Sequence, residues 1–216
     1  MVRRRTHGFT LIEVLLATVL LAAGLALAFA TLTAATTTIN RGEAMAQRAE
    51  RERAVLGFLR QRMMAARTIA FEVDPATTLP MRFVGEPGRI RFVADLPDYL
   101  GYGGPYLHDF RIEEGEGGAR IVLALTVVQS AQTWEEADPR PPELLVDRLG
   151  EARFRYRALT VEGELSGWED RWEASEQLPL LVEVTLTDAD GRPWPPLVVA
   201  LPQAGSLAGA NVVGRF

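Results

Sequence analysis

Catalysis in a chain of 216 residues needs nucleophiles, bases or metal ligands, and this sequence offers few. It has no cysteine, which removes thiolate chemistry, disulfides and Cys-ligated zinc or iron–sulfur sites. The only histidines are His7 and His108. His108 stands beside Asp109, but with few serines in the chain no Ser-His-Asp set assembles. A lone histidine on a strand reads as a surface or hydrogen-bonded residue. Asp188-x-Asp190-Gly191 has the opening of a calcium loop. The third Asp or Asn and the closing Glu are missing, however, and Arg192-Pro193-Trp194 comes next. The stretch Asp188–Gly191 therefore reads as a hairpin loop. Glu113, Glu114 and Glu116 around Gly115 read as a solvated turn, and no cofactor is implied.

One residue does demand a chemical reason. From Phe9 to Ala35 every residue is apolar, small or Thr except Glu13. As a helix rising about 1.5 Å per residue, this stretch is roughly 40 Å long, enough to cross a hydrocarbon core of about 30 Å. Arg3, Arg4 and Arg5 precede it and set a cytoplasmic N-terminus, with the bulk of the chain outside. A carboxylate inside such a segment costs about 2.5–3.5 kcal/mol or more at the bilayer centre, so it needs a partner. If the chain is cut after Gly8, Phe9 supplies a new amine, and Glu13 lies one helical turn further on. Its carboxylate can then face that amine, or the amine of a neighbouring helix. The cost of the charge becomes a force that assembles helices in fixed register.

Two plainer readings stand beside this one. Ala28-Phe29-Ala30 supplies an A-x-A site for a cleaved signal peptide, although the apolar run exceeds the usual ~7–15 residues. A simple signal anchor would let Glu13 snorkel to the interface.

These residues must be carried by a helix and a domain behind it. From Arg41 to Ala70 the apolar residues Ala44, Val55, Leu56, Leu59, Met63, Ala66 and Ala70 recur at three- and four-residue steps. The amphipathic half of the helix should thus lean on a globular domain and end at Asp74-Pro75. Met63 and Met64 read as core packing. Beyond Pro75 the pattern predicts strands at Ile90–Ala94, Phe110–Glu113, Arg120–Val128, Ala152–Leu159, Leu180–Thr187 and Leu197–Leu201. Loops are expected at Tyr99–Pro105 and Glu135–Glu143. Trp168 and Trp172 read as core or edge-covering aromatics, with a partner-facing role for them and for Arg192 as the alternative. No internal repeat or low-complexity tract is visible.

The charge balance is 23 basic to 28 acidic residues, a formal -5, and every basic residue is arginine. Without residues 1–8, which hold three arginines, it is 20 to 28, or -8. Nothing basic is concentrated beyond the first five residues, so the footprint of a nucleic-acid binder is missing.

Gly8-Phe9-Thr10-Leu11-Ile12-Glu13-Val14-Leu15-Leu16-Ala17 resembles the class III leader junction of type IV pilins and type II secretion pseudopilins. The resemblance implies cleavage by an aspartyl prepilin peptidase between Gly8 and Phe9, N-methylation of Phe9, and an assembly role for Glu13. Further along, Leu144–Tyr156, then Trp168-Glu169-Asp170-Arg171-Trp172, then Leu178-Pro179 and Val182-Glu183-Val184-Thr185-Leu186 are similar in order to the minor pseudopilin J family. Residues 71–88 and the tail after Gln203 carry no such likeness.

By this resemblance the fold is α+β and pilin-like, a long N-terminal helix packed on an antiparallel β-rich head. Residues 1–8 would be the leader, 9–35 the transmembrane and assembly helix, and 36–216 a periplasmic head. The protein would be an inner-membrane, single-pass subunit and not an enzyme. It would act at the pseudopilus tip with minor pseudopilins I and K, helping to start assembly. Prepilin peptidase and inner-membrane lipid are the other implied partners. Some pseudopilins bind calcium, which leaves a metal on the head open. The alternatives are a minor type IV pilin of a motility or DNA-uptake pilus and, more distantly, a secreted or anchored enzyme with an ordinary signal peptide.

Overall fold

A computed structural model describes residues 9–96, 103–115, 117–134, 141–160 and 162–201. By its internal contacts the chain divides into two units, Met1–Arg51 and Glu52–Phe216.

A single helix, α1, runs over Leu11–Met64. It stops ten residues before Asp74-Pro75, which corrects the boundary read from proline alone. The amide of Ala65 shares the carbonyls of Gln61 and Arg62, both at 3.2 Å, a tightened last turn. The chain then enters β1 (Ala66–Arg67), whose residues pair with Val93 and Ala94. The helical spacing of Ala66 and Ala70 is thus overridden by a sheet edge that needs a partner. Asp74 instead organises a turn, its carboxylate accepting from the Ala76 amide at 2.8 Å and the Thr77 hydroxyl at 2.9 Å. These bonds stabilise the anion and hold the Asp74 carboxyl below its ordinary pKa.

The second unit is built on one antiparallel sheet. Its strands are β1, β4 (Phe83–Glu86), β5 (Arg89–Leu96), β6 (Gly104–Gly115), β7 (Gly118–Gln129), β8 (Gln132–Trp134), β9 (Glu143–Arg157), β10 (Leu181–Asp188) and β11 (Leu197–Ala200). The main path is β1-β5-β6-β7-β9-β10-β11, with β4 on β5 and β8 on β7. Two short strands, β2 (Glu72–Val73) and β3 (Pro80–Met81), form a separate ribbon.

All six strands expected from the sequence are present, several of them longer than read. Gly104 and Pro105 belong to β6, and Glu143 opens β9, so the two expected loops end inside strands; residues 99–102 and 135–140 of those loops lie outside the described residues. Glu113 and Glu114 sit in β6, where Arg120 of β7 pairs with Glu113 at 2.9 Å, and are not turn residues; Glu116 lies outside the described residues. The β6–β7 hairpin closes on Gly118, whose φ of 108° suits glycine and where a Cβ would lie 2.3 Å from the Leu149 carbonyl oxygen.

Alternation divides the sheet into two faces. Ile90, Phe92, Phe110, Ile121, Leu123, Phe154, Tyr156, Val182, Val184 and Leu186 face the main core with Val55, Leu59 and Met63 of α1. The spacing 55, 59, 63 is one stripe of a helix, and Met64, off that stripe, is exposed. Phe58 meets Phe110 edge-on at 6.5 Å. A smaller core on the opposite face gathers Phe71, Val93, Leu107 and Val128, with Arg91 over the Phe71 ring at 4.8 Å. Elsewhere that face is charged, with Arg89 bidentate on Asp109 at 2.9 and 2.7 Å. This pair raises the pKa of Arg89 further.

The sheet curls until its β4–β5 turn reaches β9. Phe154 donates its amide to the Pro87 carbonyl at 2.9 Å, and Tyr156 donates its hydroxyl to the Glu86 carbonyl at 2.8 Å. Burial pushes the Tyr156 phenol far above its ordinary pKa, so it stays protonated and can donate this bond. Gly85 makes the approach possible: a Cβ there would lie 2.7 Å from Tyr156 Cζ and 2.8 Å from Trp172 Cβ. The edge of β4 is covered by the chain from Trp172 to Ser175, whose Ser175 carbonyl accepts the Arg82 and Phe83 amides.

Candidate functional site: the N-terminal end of the helix

Phe9 and Thr10 precede the first helical residue, Leu11. The Thr10 carbonyl accepts from the amides of Glu13 at 3.1 Å and Val14 at 3.3 Å, which makes Thr10 the N-cap. Thr is among the residue types favoured at this position. Glu13 then falls at the third helical position, in the first turn, where a negative charge complements the helix dipole. Phe9, Glu13, Ala17 and Leu21 step along one face, and with Val14 and Thr18 they line a shallow open groove.

The structure thus brings Phe9 and Glu13 to one end and one face of a helix. Gly8 lies outside the described residues. The capping role of Thr10 is absent from the reading of the sequence above, though Thr-x-x-Glu before an apolar run is the capping-box spacing and is legible there.

The remainder of this unit presents its side chains outward. Every residue from Phe9 to Gln47 is exposed, Phe9 at 82% and Leu11 at 85%. Among the described residues, α1 is the one helix long and apolar enough to cross a membrane. Its threonines do not break that character. Thr18, Thr31, Thr33, Thr36, Thr37 and Thr38 each donate a hydroxyl to a carbonyl three or four residues back, at 2.8–2.9 Å. No polar hydrogen of these side chains is left to face hydrocarbon alone.

The other residues singled out from the sequence are structural in place. His108 is fully buried on β6, its ring parallel to Phe92 at 5.6 Å, with Nδ1 3.0 Å from the Tyr106 carbonyl. Burial, with the Arg62 guanidinium, pushes its pKa down to about 4. It is therefore neutral, Nδ1 carries the proton it donates, and Nε2 has no hydrogen-bond partner. Asp188 accepts from Trp194 Nε1 at 2.6 Å, and Asp190 pairs with Arg192 beside it. Among the described residues no three His, Cys, Asp or Glu side chains converge as metal ligands. Trp172 packs on the core and donates Nε1 to the Ala174 carbonyl at 2.7 Å. Trp168 lies under Arg157 and Arg155, at 4.5 and 5.7 Å. Both tryptophans cover the sheet.

A capped, exposed apolar helix that ends on a curled antiparallel sheet, with one acid in its first turn, defines a pilin-like subunit. Residues 3–29 match the family model for the prokaryotic N-terminal methylation motif. The chain is also 55% identical over 205 residues to the type II secretion system protein J of Xanthomonas campestris pv. campestris, covering 94% of this chain and 96% of that protein. The chain belongs to the type II secretion system protein J family. It is a pseudopilin, a subunit that works with other pseudopilins of a secretion system.

Proposed function

We propose that the protein is a minor pseudopilin at the tip of the pseudopilus, joining minor pseudopilins I and K and helping to start assembly. It does so as a structural subunit without turnover. Residues 1–8 serve as the leader, 9–35 as the inner-membrane span and assembly helix with its start in the cytoplasm, and 36–216 as the periplasmic head. Prepilin peptidase cuts between Gly8 and Phe9, and Phe9 is then N-methylated. Glu13 faces the Phe9 amine of its own or a neighbouring subunit.

The observation that carries this reading is the exposed helix face bearing Phe9 and Glu13. An acid there has no cation within the span other than an N-terminal amine, because the next basic residue is Arg41. Removing the pair's mutual attraction inside a low-dielectric bundle should therefore be felt by the assembly and not by the head.

The mass of the mature chain tests the processing. It should begin at N-methyl-Phe9, and a chain beginning at Thr31 would replace this reading with an ordinary signal peptide. Glu13→Ala should fold and insert normally yet fail to enter pseudopili; normal assembly would refute the charge pairing. Deletion should abolish secretion, whereas loss of twitching or transformation would favour a type IV pilus. The head should co-purify with the heads of pseudopilins I and K.

A further inference from the structure

We infer that the Arg62 guanidinium is a docking point for a carboxylate side chain of a neighbouring pseudopilin: the head buries this cation without a counter-ion, and assembly supplies one. The inference rests on the assembly reading above and names one contact through which that assembly is made. Among the described residues Arg62 is the one buried side chain that carries a charge, at 7% exposure, His108 being neutral. It stands in the last turn of α1. Its Nη1 donates to the Asp95 carbonyl at 3.5 Å, the long limit of a hydrogen bond, and its guanidinium carbon lies 5.9 Å from the centre of the Phe58 ring. The Asp95 carboxylate is held by Arg67 at 2.7 Å. Arg62 Nε is buried with no hydrogen-bond partner. Nη2 has no bond to a described residue and is not sealed off in this way, so it is the nitrogen that an incoming group can reach.

Arginine is almost never fully buried unless paired, because desolvating the charge is costly and only a well-placed anion offsets that cost. The surroundings of Arg62 compensate little of it. The C-terminal end of α1 presents roughly half an opposite charge, and the Asp95 carbonyl is a weak acceptor at this distance. His108, on β6, offers no anion, and the charge of Arg62 helps to keep it neutral. Other arginines of the head differ: Arg67, Arg89, Arg120 and Arg155 each pair with a carboxylate of this chain. What the Arg62 site lacks is an anionic acceptor. A free anion would have to be desolvated and immobilised for this one contact, whereas the Asp or Glu of a neighbouring subunit is carried in by the rest of an interface.

The test separates folding from association. Arg62→Met and Arg62→Gln remove the charge and keep part of the side-chain length. Urea unfolding of each full-length variant in micelles, followed by tryptophan fluorescence, should give a midpoint equal to or above that of the unaltered chain, because an uncompensated buried charge is gone. Binding to purified full-length pseudopilins I and K in micelles, each titrated separately, should weaken about thirtyfold or more for at least one of them. One Asp or Glu of that neighbour, changed to its amide, should reproduce the loss, and combining the two changes should add little. A lowered midpoint in both Arg62 variants would overturn the inference, since the charge would already be compensated within the chain. Asp98→Asn, which removes the first acid after β5, should leave the midpoint unchanged, and a fall there would overturn it in the same way. Unweakened binding by both Arg62 variants, or a loss that no acid of the neighbour reproduces, would also overturn it while leaving the assembly reading intact. If the unaltered chain binds neither pseudopilin, both fall.

Discussion

Replacing His108 by Phe should remove an acid sensitivity built into the head. His108 is fully buried between β5 and β6, with its ring stacked on Phe92 and 6.4 Å from Phe110. Desolvation is the main reason that its pKa falls from 6.5 to about 4, and the Arg62 guanidinium adds to it, against the opposing bond to the Tyr106 carbonyl. In the unfolded chain the imidazole takes up a proton as the pH drops through 6.5, whereas in the folded chain it resists until about 4. Between these values the unfolded state binds more protons, so stability falls on acidification. At about 1.4 kcal/mol per pH unit, the loss reaches about 3 kcal/mol by pH 4. That is a sizeable share of the ~5–15 kcal/mol that holds a domain together. The full contribution is present above pH 6.5.

The measurement is urea unfolding of the full-length chain in micelles, tracked by tryptophan fluorescence at steps from pH 7 to pH 4. The other titrating groups, Asp74 and Glu162 with their lowered pKa values among them, are common to both proteins. The difference between the two pH profiles therefore isolates residue 108. It should be flat above pH 6.5 and grow below it in favour of His108→Phe. Parallel profiles would refute the argument that the histidine is held neutral by burial.

Two further substitutions, each with a control, probe the packing. Gly85→Ala places a methyl 2.7 Å from the Tyr156 ring and 2.8 Å from Trp172 Cβ, and should cost about 1–3 kcal/mol in urea unfolding. Gly88→Ala, in the adjoining β4–β5 turn with nothing within 4 Å of its Cβ, should be close to neutral. Leu59→Ala opens the fully buried stripe of α1 and should cost about 2–5 kcal/mol, whereas Met64→Ala, on an exposed position of the same helix, should change the unfolding midpoint little.

The order of elements was legible because each level of the sequence agreed with the next. A long run of apolar residues with one acid in its first turn reads as a helix, and α1 is one. Strands such as Arg153–Arg157 alternate because one face is buried and the other wet. The boundaries were less legible. β1 through β3 and β8 span two or three residues each, too short for any periodicity. The helix end could not be read from Asp74-Pro75, because what stops α1 at Met64 is a pairing with β5 roughly 28 residues away in sequence. The Thr10 cap was readable from spacing alone and was obscured by the acid beside it.

Glycine, phenylalanine, threonine and glutamate at the N-terminus are local: their meaning depends on separations of one to four residues, which a helix converts into one face and one end. The sequence by itself therefore determined the long apolar N-terminal helix and the class of subunit. Burial of His108, the role of Gly85 as a gap for the Tyr156 ring and the covering of β4 by Trp172–Ser175 depend on residues 16 to 93 positions apart that meet only when the strands pair and the sheet curls. Tertiary structure alone decided these, because desolvation and close packing are properties of a whole surrounding, which no short stretch of chain contains.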